Sequence, residues 1–186
     1  MFFAVPLGEE ARRAVEGIVE AVRATEPPGR GVRWVRLDGL HVTLRFLGPT
    51  PVERVDELAA AMAVAASAAA PIPVRISGAG AFPSQGRPRA LWLGIAEGGE
   101  GLAALAARLD DGLVALGWPH EERPFRAHLT LARADGVRAG AATAATLRDA
   151  ASEISIESVT DRLVLYESIT GHGPARYVSR AEAALG

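Results

Sequence analysis

The feature that most constrains this chain is a short motif that occurs twice, His41-Val42-Thr43-Leu44 and His128-Leu129-Thr130-Leu131. Both copies read His-apolar-Thr-Leu, and both sit in apolar stretches suited to a strand. Successive side chains of a strand alternate faces, so the His and Thr of each motif project together, about 6.6 Å apart along the strand, while the apolar residues face the other way. Each motif strand therefore has one polar face and one buried face.

The elements around the motifs repeat as well. Residues 2–7 read as an opening strand ended by Pro6 and Gly8. Over residues 9–24 Ala11, Ala14, Val15, Ile18, Val19 and Val22 recur at helical spacing, and Pro27, Pro28 and Gly29 stop the helix. Strand pieces follow at 32–35 and 41–47, separated by the turn-forming pair Asp38-Gly39. A helix over 52–69, a strand over 74–82 and a polar linker at 84–89 complete the first copy. The second runs strand 90–95, helix 100–116, strand 125–133, helix 137–151 and strand 153–159, with further strands at 162–169 and 176–183. Two copies, about 2–82 and 90–159, are too few for a solenoid. The expectation is a single α+β domain over residues 1–186. It is bilobal, with two pseudo-symmetric lobes, each a mainly antiparallel sheet with two helices, and an active cleft between the lobes.

Composition narrows the chemistry. With 186 residues, 49% of them hydrophobic, the chain can bury a substantial core. It has no cysteine, which removes disulfides, thiolate nucleophiles and iron–sulfur ligation together. A net charge of −2 does not advertise a nucleic-acid binder, so affinity for phosphate must come from where the charges sit. All 20 basic residues are arginine, whose planar fork suits phosphate. Residues 1–7 are too short and uncharged for a signal peptide, and no apolar run approaches the roughly 18 residues of a membrane span. A soluble cytoplasmic protein without a membrane partner is expected.

Two imidazoles and two hydroxyls on polar strand faces suit in-line displacement at a phosphodiester. A neutral His takes a proton from water while a protonated His gives one to the leaving oxygen, and an imidazole pKa of about 6.5 lets both forms coexist near neutrality. Each Thr can donate to a non-bridging phosphoryl oxygen. A metal site on the two histidines is disfavoured, because no Asp, Glu or Cys stands at familiar ligand spacing. A binding module without turnover would show a lost motif His or Thr, and none is lost.

Other residues enter by position. Arg45, at i+4 from His41, shares its face by strand parity and is a candidate phosphate ligand; Arg126, at i−2, shares the His128 face. Arg133 is at i+5 from His128, which parity places on the opposite face unless a bulge intervenes. His120 lies in a turn, and His172 lies in a glycine-flanked loop with no hydroxyl at i+2. Trp34, Phe82 and Phe125 are candidates for stacking on a base.

At these residues the chain resembles the two-histidine (2H) phosphoesterase superfamily, in its RNA 2',3'-cyclic phosphodiesterase branch, also called 2'-5' RNA ligase. The matching pieces run from Met1-Phe2-Phe3-Ala4-Val5-Pro6-Leu7 through Arg33-Trp34-Val35, the first motif continued as Arg45-Phe46-Leu47-Gly48, and Arg89-Ala90-Leu91-Trp92-Leu93-Gly94. They end with Phe125-Arg126-Ala127 leading into the second motif, Ala132-Arg133 after it, and Leu163-Val164-Leu165-Tyr166-Glu167-Ser168.

The resemblance implies a bilobal fold and hydrolysis of RNA 2',3'-cyclic phosphate ends, or of nucleoside 2',3'-cyclic phosphates, to 2'-phosphomonoesters. It also implies a reverse 2'-5' joining of RNA ends. No cofactor, metal or obligate protein partner is implied. By position His41 is the proton donor, His128 the proton acceptor, and Thr43, Thr130 and Arg133 hold phosphate. The family often has proline before the second histidine, where this chain has Ala127, a change that bears on local rigidity rather than on acid, base or donor. A phosphodiesterase acting on a small non-RNA cyclic phosphate remains compatible, since the motifs read only the ring.

Overall fold

The structure is a computed structural model that describes residues 1–25, 31–135, 137–171 and 173–186. The Pro27-Pro28-Gly29 stop and His172 lie outside the described residues. The first helical period becomes α1 (Glu9–Ala24), whose buried Ala11, Val15, Val19 and Val22 form one stripe. Glu9 and Glu10 open the helix and Arg23 lies in its last turn, charges that favour the respective ends. Burying each valine stabilises by roughly 1.5–3 kcal/mol, whereas the surface pairs Glu9–Arg13 and Arg12–Glu16 are screened by solvent. Packing therefore decides where α1 sits. The same logic gives α2 (Val55–Ser67), α3 (Gly99–Ala115) and α4 (Val137–Ala150). Among the described residues no helix is long and apolar enough to cross a membrane.

The strands are β1 (Phe2–Pro6), β2 (Val32–Trp34), β3 (His41–Phe46), β4 (Ile72–Phe82), β5 (Ala90–Glu97), β6 (His128–Ala134), β7 (Ile156–Thr160), β8 (Arg162–Gly171) and β9 (Gly173–Ala184). They form one curled antiparallel sheet in the order β7-β4-β5-β6-β3-β1-β8-β9, with β2 beside β6. The two motif strands, β3 and β6, lie at its centre. Around that seam β1 flanks β3 as β5 flanks β6, and β8 lies outside β1 as β4 lies outside β5. This is the expected bilobal α+β arrangement, with the lobes' sheets joined edge to edge.

Sequence copies and lobes are nevertheless different units. Strand β4 ends the first copy but pairs with β5 and β7 of the second, and β8 returns to pair with β1. The helices exchange too: α2 and α3 cover β3, β8 and β9, while α1 and α4 cover the half containing β4 and β7. Two cores result. One joins Phe3, Val42 and Leu165 to Leu58 and Met62 of α2 and Leu105 and Leu109 of α3. The other joins Leu91, Leu93, Leu129 and Leu131 to Val15 and Val19 of α1 and Leu147 of α4. Each lobe thus takes one helix from each copy, which ties the halves together more firmly than a linker would.

Two local expectations are revised. Asp38-Gly39 sits in a single 3-10 turn (Leu37–Gly39) that closes no hairpin, since β2 pairs with the outer end of β6, Val32 opposite Ala134. Residues 125–127, expected in the second motif strand, stay outside the ladder, and β6 begins at His128 itself.

Candidate active site

Both motif strands carry a bulge at the same place. In β3, Thr43 and Arg45 oppose consecutive residues of β1, Ala4 and Phe3, so Leu44 is the extra residue. In β6, Thr130 and Ala132 oppose consecutive residues of β5, Trp92 and Leu91, so Leu131 is the extra residue. A bulge resets the alternation of faces beyond it. Leu44 and Arg45 are consequently both buried, as are Leu131 and Ala132, and the i+5 residues, Phe46 and Arg133, return to the polar face.

The seam between the strands pairs Val42 with Leu129. In that antiparallel register His41 stands beside Thr130, and Thr43 beside His128. Each imidazole is fixed in the same way, with Nδ1 2.7 Å from the Gly39 carbonyl oxygen in His41 and 2.6 Å from the Arg126 carbonyl oxygen in His128. A carbonyl can only accept, so in the neutral ring Nδ1 carries the proton and Nε2 keeps its lone pair.

The rings differ in their surroundings. His41 lies 4.9 Å from the Phe2 ring and takes Tyr177 edge-on at 5.0 Å, with Tyr166 at 5.8 Å. Gly39 leaves room for that tyrosine, since a Cβ there would lie 3.1 Å from its ring. His128 takes Phe82 edge-on at 4.9 Å, with Trp92 at 6.3 Å. Burial pushes the His41 pKa below its ordinary value; the Gly39 carbonyl opposes this, and the charge of His128 adds to it.

A cavity of about 700 Å³ opens on this face, lined among others by His41, Thr43, Phe46, Thr130, Arg133 and Tyr177. His128 stands beside the cavity rather than in its wall, yet close enough for its charge to act on His41. Arg133 lowers the Tyr177 pKa, while burial raises it by more. Arg126, exposed, contributes its carbonyl to His128. Tyr177 carried no signal in the sequence, because its place beside His41 depends on the return of β9 from the far end of the chain.

Arg45 must be reassigned. Parity alone puts it with His41, but the bulge at Leu44 turns it inward, where it is 8% exposed. Its Nε lies 2.9 Å from Asp110 Oδ1, out of line for a hydrogen bond, and its Nη1 donates to Glu121 Oε2 at 3.0 Å. It also donates to the Pro119 carbonyl. Arg45 is therefore a buried tie between β3, α3 and the segment leading to β6, not a phosphate ligand. The Arg123 hydrogen bond, with help from Arg45, holds the Glu121 carboxyl down at about 2. His120 pairs through Nδ1 with Asp110 and belongs to the same cluster. Among the described residues no three His, Cys, Asp or Glu side chains converge as metal ligands would.

Trp34 and Phe125 pack against the two cores, and Phe82 lies against Trp92 and His128. Phe46, not singled out by the sequence, is the aromatic residue at the cavity that stands 55% exposed. Aligning the copies through residue i+5 would have found it opposite Arg133.

A curled antiparallel sheet with a His-x-Thr motif on each of two adjacent central strands is the arrangement of a two-histidine phosphoesterase. The family model for the 2'-5' RNA ligase superfamily matches residues 9–171, and the chain belongs to that superfamily. It is 32% identical to the RNA 2',3'-cyclic phosphodiesterase of Escherichia coli (strain K12), in an alignment covering 100% of this chain and 96% of that protein. It is 33% identical to the RNA 2',3'-cyclic phosphodiesterase of Geobacillus stearothermophilus over 71% of this chain; the match spans 41% of that longer protein. Among solved structures, TT0787 of Thermus thermophilus superposes with a TM-score of 0.77 at 29% identity, covering 99% of this chain and 96% of the other.

Proposed function

We propose that the chain hydrolyses 2',3'-cyclic phosphate ends of RNA to 2'-phosphomonoesters, with His41 and His128 as acid and base. The observation that carries this reading is the shared tether: both rings are held through Nδ1 by a backbone carbonyl two residues upstream, which leaves both Nε2 atoms for the substrate. In the step proposed, His128 Nε2 takes a proton from water as the water oxygen bonds to phosphorus. The bond from phosphorus to the 3' oxygen breaks, and His41 Nε2 gives that oxygen a proton. Thr43, Thr130 and Arg133 hold the non-bridging oxygens, where charge must be carried.

Burial lowers the His41 pKa in the free protein, whereas a proton donor must start protonated. An anionic phosphate beside the ring supplies the correction, since a nearby negative charge favours the imidazolium. The site thus charges its acid when substrate arrives. With the 5' hydroxyl of a second RNA end in place of water, the same transfers form a 2'-5' phosphodiester as the bond from phosphorus to the 3' oxygen breaks, which accounts for 2'-5' joining as a secondary activity.

The test is incubation of the purified, chelator-treated protein with an RNA oligonucleotide ending in a 2',3'-cyclic phosphate. A 2'-phosphate product supports the proposal. A 3'-phosphate product reverses the leaving group and so the roles of the 2' and 3' oxygens. Absence of turnover on RNA, with turnover of a small non-nucleotide cyclic phosphate, overturns the choice of substrate.

A further inference from the structure

The two motifs are matched at His, Thr and bulge, and they differ at the residue that each bulge delivers to the polar face. In β6 that residue is Arg133, an anion-binding fork; in β3 it is Phe46, an aromatic ring. Phe46 is 55% exposed although it lies in the central part of the sheet, and it lines the cavity together with Pro49. Its ring rests against Phe2 at 5.7 Å and an interplanar angle of 45°, so its position is supported from behind.

A cavity of about 700 Å³ lies in the size range of sites that enclose an entire small ligand, and the motif side chains need only the phosphate and its ring. Because β3 and β6 are antiparallel, Phe46 and Arg133 lie at opposite ends of the seam. The catalytic centre is close to symmetric, whereas its two ends are an apolar face and a cation. That asymmetry fixes the direction in which a nucleotide can lie.

We infer that Phe46 is a stacking platform for the nucleobase of the terminal nucleotide, and that it orients the substrate with its base away from Arg133. This rests on the proposed cyclic-phosphate chemistry and adds a specificity-determining residue to it. A base offers a flat π face to the exposed ring whatever its hydrogen-bonding edge, so the preference at this position follows stacking area, purine over pyrimidine.

The experiment compares adenosine 2',3'-cyclic phosphate with methyl riboside 2,3-cyclic phosphate, which has the reacting ring and no base. It uses the wild-type protein, Phe46→Ala and Phe46→Tyr, with thermal unfolding of each measured alongside. The expected result is that Phe46→Ala lowers kcat/KM on the adenosine substrate about tenfold more than on the base-free one, the size of one base–aromatic stack. The loss should fall chiefly on KM, and Phe46→Tyr should restore it. An equal loss on both substrates, or none on either, would overturn the inference. If the wild-type protein turns over neither substrate, the proposed chemistry fails first and the stacking role falls with it.

Discussion

Val42 of the first motif and Leu129 of the second are direct cross-strand partners. Through that pair each catalytic histidine candidate is set beside the threonine of the other motif, His41 by Thr130 and His128 by Thr43. Neither motif pairs its own His with its own Thr across the seam, and the proposed phosphate position needs both strands in register. Replacing Thr43 or Thr130 with Val keeps the side-chain shape and removes the hydroxyl. Each change is expected to lower kcat by about 10²-fold, the scale of one lost oxyanion donor, with Tm nearly unchanged. Steady-state kinetics on both variants check this, and a loss confined to one of them would break the symmetry of the account.

Arg45 and Arg133 make opposite predictions although both follow a motif. Arg45 is buried against Asp110 and Glu121, so Arg45→Met removes the guanidinium from between two carboxylates and leaves the buried Asp110 with only His120 and the Glu121 backbone N–H. Stability should fall by about 3–5 kcal/mol in denaturant unfolding, with KM little changed in the protein that remains folded. Arg133 is exposed, and Arg133→Gln should leave stability within about 0.5 kcal/mol while raising KM about tenfold. A stable Arg45→Met with weakened substrate binding would return Arg45 to the phosphate.

The pH dependence follows from the sign of the His41 shift. As the proposed proton donor, His41 must be protonated, so rate should be lost as pH rises through its pKa. Burial lowers that pKa in the free protein, which puts the high-pH fall of kcat/KM below the ordinary imidazole value of about 6.5. Bound phosphate raises it again, so the same limb in kcat should lie at higher pH. Coincident limbs in the two profiles would show that substrate does not charge the ring. The linked effect on folding runs the same way: a His with a depressed folded pKa removes stability as pH falls through the unfolded value, so Tm should drop on acidification below about 6.5, and His41→Phe should drop less.

Much of this molecule was legible because its patterns are local. The stripe of α1 and the two His-x-Thr faces depend on periods of four or two residues, and the duplication lies in the repeated order of the elements that those periods mark. What misled was also local: parity carried past Thr43 puts Arg45 on the wrong face, because a single extra residue at Leu44 reverses it. Nothing in a sequence marks a bulge directly, although the matched i+5 residues of the two copies hint at one. The crossing of β4 and β8 between halves, and with it the placing of Tyr166 and Tyr177 against His41, depends on pairings between distant segments that no local period records.

The most direct test is a double-mutant cycle on His41 and His128, read as kcat/KM on an RNA oligonucleotide ending in a 2',3'-cyclic phosphate. Acid and base acting in one step should make each single Ala variant lose about 10²–10⁴-fold, with His41→Ala/His128→Ala little worse than either alone. Multiplicative losses, or a single variant with wild-type turnover, would contradict the pairing of the two rings in one reaction.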